Sequence, residues 1–195
     1  MQPLGMTKAS FDLEAIASEG RSQDLAASYD RELKVHPPRR YTATAAVSLY
    51  ATARDVAQFA RAYSRENPVL SQETLKQMMM PQPGTSGSWG LGQTLFVAND
   101  AGGHVVGHDG GTFPAWGATM RVNPATGNGI VLMVSGGRTP VSPLANDWVY
   151  WETGRVTFGA RLDIVRQRLM PASVAILAGA IALVWWKLLR WRSRV

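Results

Sequence analysis

The 195-residue chain contains no cysteine. That absence removes disulfides, thiolate nucleophiles and sulfur-ligated zinc or iron–sulfur centres together, and it leaves the compartment unread. Net charge is modest as well: of the formal +6, four charges come from Lys187, Arg190, Arg192 and Arg194 in an acid-free tail, which leaves +2 upstream. A nucleic-acid partner is therefore not expected. The opening MQPLGMTKASFDLE lacks the basic stretch and apolar run of a secretory signal. Gly-x-Gly-x-x-Gly, the Walker loop and the Gly-x-Ser-x-Gly elbow are all missing, so neither phosphate cradles nor the strained serine turn of α/β-hydrolases are present. No serine is followed three residues later by lysine, and the local pair in which one helical turn brings an amine to a hydroxyl is absent. No cofactor is expected.

What the chain does have is one long apolar run. Residues 169–186, LMPASVAILAGAIALVWW, carry no charge, and the run reaches Leu189 if Lys187 snorkels. At about 1.5 Å per helical residue this approaches the roughly 30 Å hydrocarbon core of a bilayer. Trp185, Trp186 and Trp191 fall where an interfacial aromatic belt belongs. A transmembrane helix over 169–189 is expected, with the bilayer as its partner. Arg155, Arg161, Arg166 and Arg168 on one flank nearly balance the four cations on the other, so orientation stays open.

Upstream, the length suits one domain with a real core. Residues 1–50 show little apolar periodicity and several turn formers, including Pro37-Pro38, and read as an irregular covering stretch. Thr52-Ala-Arg-Asp55 opens a helix with a capping-box start, and Val56, Phe59, Ala60 and Tyr63 recur on one face. SQETLKQMMM gives a second helix from Ser71 that stops before Pro81. The period then becomes extended: LGQTLFVA, GHVVGH, WGATMRV and IVLMVS are short apolar strands separated by NDAGG and NPATGNG. SPLANDWVYWE follows as a helix, with Leu144, Trp148 and Trp151 expected to pack on the sheet. The fold class is α+β, an antiparallel sheet with flanking helices.

Chemistry is concentrated between His104 and Gly111. Two histidines at i and i+4 share a metal on a helix, but the glycines and valines here argue for a strand, and no third ligand is evident. His108-Asp109-Gly110-Gly111 offers more. The imidazole can meet an anionic substrate group, glycines admit a ligand close to the backbone, and a glycine N–H can face an oxyanion. A tight turn at a strand end with an exposed histidine is the competing reading.

The order of segments decides between them. QPLGMTKASF, YTATAAVSLYATARDVAQFARAY, LSQETLKQMMMPQ, WGLGQTLF and GHDGGTFPAWGATMRVNPATGNGIVLMVSGG closely resemble the serine β-lactamase-like hydrolases of the class C and DD-peptidase type, from the first residue to about Gly137. In that family a sheet domain packs against a helical domain, and Ser-x-x-Lys, Tyr-x-Asn and Lys-Thr-Gly or His-x-Gly line the cleft between them. The resemblance implies that His108, Asp109 and Gly110 form the third motif and bind substrate. It gives His108 the electrostatic role, Gly110 close approach, and the Gly111 N–H one half of the oxyanion hole.

Neither Ser-x-x-Lys nor Tyr-x-Asn occurs in the sequence. Residues 1–154 therefore resemble the carboxy-terminal part of such an enzyme, followed by a basic juxtamembrane linker over 155–168, the spanning helix over 169–189 and a basic tail over 190–195. A membrane-anchored serine hydrolase of amide or ester bonds is implied, inactive without the missing front half, which would be a partner alongside a small acyl or peptide substrate. The family places the soluble part outside the cytoplasm, although no export signal precedes it. The alternative function is a non-catalytic, membrane-anchored binding module built on the same fold.

Overall fold

The computed structural model describes every residue except 31, 39, 65, 66, 113–115, 137–140, 170–174, 178, 184 and 186–195. The chain forms two compact units, Met1–Thr157 and Phe158–Val195.

At the centre of the first unit lies a four-stranded antiparallel sheet. It is built from β3 (Thr94–Ala98), β4 (His104–Thr112), β5 (Trp116–Val122) and β6 (Gly129–Ser135), adjacent in that order. Register assigns the faces. Val106 opposes Val122 and His108 opposes Met120, so these four side chains share one face. There Val106, Met120 and Val122 meet Leu95 of β3 and, from α3 (Ala53–Arg61) and the turn after it, Ala60 and Tyr63. Burying each large apolar side chain of this cluster is worth roughly 1.5–3 kcal/mol. Asp109 opposes Thr119, and Arg121 follows two residues on, so these three share the other face. That face carries α5 (Val141–Thr153), whose Val141 closes to 3.2 Å from where a Cβ on Gly117 would stand. The sheet is thus the middle layer between two helices.

Capping sets the helix starts. Thr52 caps α3 and Asp55 returns the bond to the Thr52 N–H, as the sequence pattern implied. Ser71 caps α4 (Gln72–Met78) by accepting from the Thr74 N–H. Asp55 is itself buried and also accepts from the Lys8 backbone N–H at 3.3 Å, tying the amino-terminal segment to α3.

Two expectations need correction. The first fifty residues are not simply irregular: they hold α1 (Leu13–Ser18, capped by Asp12), a hairpin of β1 (Ser28–Tyr29) and β2 (Val35–His36), and α2 (Thr44–Val47). Each is too short for an apolar period to develop, and side-chain to backbone bonds such as Asp12 to the Glu14 N–H define them instead. The second concerns α5, which turns Val141, Ala145, Asn146 and Val149 inward and leaves Trp151 78% exposed. Small and β-branched residues at i, i+4 and i+8 let the helix approach Gly117 closely, and the bulkier Leu144 stripe cannot. The helix expected to span a membrane over 169–189 lies in large part outside the described residues. The second unit holds α6 (Phe158–Ile164), a π-helical turn Val165–Leu169, and helical residues at 175–177, 179–183 and 185. No helix among the described residues is long and apolar enough to cross a membrane.

Candidate active site

β4 is the strand that carries the chemistry. Its pairing with β3 ends where Thr94 opposes Gly107, while its pairing with β5 continues to Thr112 opposite Trp116. From His108 to Thr112 the strand therefore has a partner on one side and, among the described strands, an open edge on the other. The competing turn at His108-Asp109-Gly110-Gly111 does not form: cross-strand pairing with β5 holds these residues extended despite their glycines.

Three glycines of this strand have different reasons. A Cβ on Gly107 would lie 2.0 Å from the Met120 carbonyl oxygen, and one on Gly111 would lie 3.0 Å from that of Trp116, so close strand approach requires both. On Gly110 a Cβ would meet only the Ala118 Cβ, at 4.0 Å. The fold leaves that position free to accept something else.

His108 is exposed on the same face as Gly110, two residues away. Its Nδ1 lies 2.5 Å from the Asp109 carbonyl oxygen, which leaves Nε2 as the outward nitrogen. The Trp89 indole stands edge-on to the ring, with centroids 5.4 Å apart and an interplanar angle of 63°. Trp89 reaches the spot through an isolated bridge to Thr94, which carries the chain back past the end of β3.

A family model described as Beta-lactamase matches residues 1–155. The chain belongs to the beta-lactamase family. Among solved structures, a D-stereospecific amidohydrolase from Streptomyces sp. is similar at 20% identity and a TM-score of 0.47, over 66% of this chain and 39% of its own. The chain thus spans about two-fifths of that protein's length. No curated protein matches.

For a beta-lactamase-family chain, the expected substrate-binding trio divides in an informative way. His108 and Gly110 stand together at the open edge, whereas Asp109 points to the opposite face. There it meets the Thr119 hydroxyl at 2.6 Å and the Arg121 guanidinium at 2.7 Å. Partial burial alone would raise the Asp109 carboxyl. Arg121, with the hydroxyls of Thr119 and Ser142, instead holds it below the usual carboxylate range. Asp109 is thus engaged from within the protein, while His108 faces outward.

Metal sharing by His104 and His108 is ruled out by geometry, because four residues along a strand separate them by about 13 Å. Sequence reasoning missed Trp89 and Arg121. Trp89 gave no signal beyond its place in a glycine-rich stretch. Arg121 did, as the lone charge in the apolar strand WGATMRV, but only the register shows that Asp109 is its partner.

Proposed function

We propose that this chain forms the sheet-side wall of an acyl-transfer cleft in a beta-lactamase-type serine hydrolase, one that cleaves amide or ester bonds of a small acyl or peptide substrate through an acyl-serine. The observation that carries the reading is the open edge of β4, where an exposed imidazole stands beside a glycine the fold itself does not need. His108 Nε2 meets an anionic group of the substrate, Gly110 lets the substrate backbone approach, and the Gly111 N–H donates to the oxyanion. The sequence contains neither Ser-x-x-Lys nor Tyr-x-Asn, so in this reading the attacking hydroxyl is supplied from outside residues 1–195, and these residues alone form no acyl-enzyme.

Titrating the full chain with N-acetylalanine should move the NMR signals of the His108 ring and leave those of His36 and His104 in place. A His108 ring that does not respond sinks the reading. A fluorophosphonate probe should leave the chain unlabelled, and strong serine labelling would show that the nucleophile is already present.

The missing Ser-x-x-Lys also favours a second reading, a binding module that holds acyl or peptide carboxylates without turning them over. Labelling that appears once a complementing segment is added supports the hydrolase; carboxylate binding that no added segment converts into labelling supports the module. For residues 169–189 the uncharged stretch over 169–186, with its terminal tryptophans, supports a bilayer partner, with the first unit outside the cytoplasm. The full chain should then float with lipid vesicles and lose flotation when 169–189 is deleted.

A further inference from the structure

Arg121 is the largest fully buried side chain among the described residues, at 0% exposure in the last third of β5. Burying a guanidinium is costly, and an apolar side chain of similar size is often as good or better for stability alone. Its satisfaction here is one-sided. Nη1 donates to Asp109 Oδ1, to Thr119 Oγ1 at 2.5 Å and to the Met120 carbonyl at 3.0 Å. Nε and Nη2 have no partner among the described residues. The Phe96 ring lies 3.7 Å from the guanidinium carbon. Phe96 is the extra residue of a bulge in β3, between Leu95 opposite Val106 and Val97 opposite Val105, and its ring lies on the Arg121 face, opposite to that of Leu95. A charge held mainly through one nitrogen, under an aromatic lid, toward a single half-exposed carboxylate calls for a reason beyond stability.

β4 supplies that reason. With Gly107, Gly110 and Gly111 and an open edge beyond Gly107, it is the kind of strand whose register is weakly specified by side-chain pattern. Slipping its pairing with β5 by one residue would turn His108 and Gly110 to the buried Arg121 face. Asp109, set between them, resists the slip because its carboxylate finds a cation and two hydroxyls on one face only.

We infer that Arg121 is a positioning residue: through Asp109 it locks the register of β4 on β5, and so fixes which face His108 and Gly110 present. The lock itself is a property of the sheet. Its value to catalysis rests on the proposed cleft.

The experiment uses the full chain and two NMR readouts: the cross-peak between the His108 ring and the Trp89 indole, and amide exchange at Gly110 relative to Val106 and Val122. In Asp109→Ala the cross-peak should be lost while the Val106 and Val122 signals persist. Added formate, which can replace the carboxylate on Arg121, should restore it. A cross-peak that survives in Asp109→Ala overturns the proposal, as does a loss that formate does not reverse. Should Asp109→Ala fail to fold, Thr119→Val keeps the ion pair and removes one hydroxyl. Exchange at Gly110 should then quicken about tenfold, against little change at Val106, and unchanged exchange at Gly110 overturns the lock. The two ideas fail separately. N-acetylalanine leaving His108 unmoved in the unmodified chain removes the cleft and spares the lock, whereas an intact cross-peak in Asp109→Ala removes the lock and spares the cleft.

Discussion

A methyl group added at Gly107 collides with a carbonyl oxygen at 2.0 Å, while the same group at Gly110 finds its nearest neighbour at 4.0 Å. The two glycines, three residues apart on one strand, should therefore respond in opposite ways. Gly107→Ala forces backbone to move and should destabilise the chain by about 3 kcal/mol, as strong overpacking does. Gly110→Ala should change the denaturation midpoint by less than about 1 kcal/mol and yet weaken N-acetylalanine binding, since the methyl occupies the approach to the edge. Chemical denaturation and binding titration of the two variants check both halves. Asp109 adds a dependence on pH. Its folded pKa is depressed, so the stabilisation it contributes is present above the unfolded value of about 3.9 and disappears as pH falls through the folded one. Near neutral pH, Asp109→Asn should cost about 2 kcal/mol, below the range for a wholly buried pair because the Asp109 side chain is 43% exposed. The gap between the two proteins should close in strong acid, as paired acid-unfolding curves would record.

Between elements, a cluster of polar bonds joins α5 to the β5–β6 turn. Glu152 accepts from the Asn123 amide at 3.0 Å, from the Thr126 hydroxyl at 2.6 Å and from the Asn128 amide at 3.1 Å. Asn123 in turn accepts from the buried Asn99 amide at 3.1 Å, so both sheet turns at that end hang on one helical carboxylate. Glu152→Ala should lower stability by about 1–3 kcal/mol and speed amide exchange in the turn, with the β4 edge at the other end unaffected. How far such features can be read from sequence depends on whether the signal is local. The Thr52–Asp55 cap and the Ser71 helix start lie within four residues and were legible. Four strands and their turns were legible too, because apolar runs and glycine-rich turns alternate plainly. The last residues of β4 were not, since their extended form comes from β5 alongside them and not from their own glycines. Likewise the inward face of α5 is decided by a gap over Gly117, and the Arg121–Asp109 pair by register, both of which are long-range.

Taken as a whole, the first unit has a sheet whose β6 margin is unusual. β6 reads Gly-Ile-Val-Leu-Met-Val-Ser, five consecutive apolar residues of the kind found in strands flanked on both sides, yet β5 is its sole strand neighbour among the described residues. Met133 is 40% exposed, and no charge or proline interrupts the strand. Uncharged apolar margins of this sort pair with other chains. The isolated chain should accordingly associate with rising concentration in sedimentation experiments, and Met133→Lys should return it toward the monomer without changing the His108–Trp89 contact. Sedimentation that is independent of concentration in the unmodified chain would show that the margin is already covered.

The edge-on contact between Trp89 and His108 has one more consequence, in optics. An indole this close to an imidazole changes its emission when a charged group settles beside the ring, so the protein carries its own dye beside the proposed cleft. The difference in fluorescence between the unmodified chain and Trp89→Phe isolates that signal from the other tryptophans, and a cuvette can then follow events at the sheet edge without any added label.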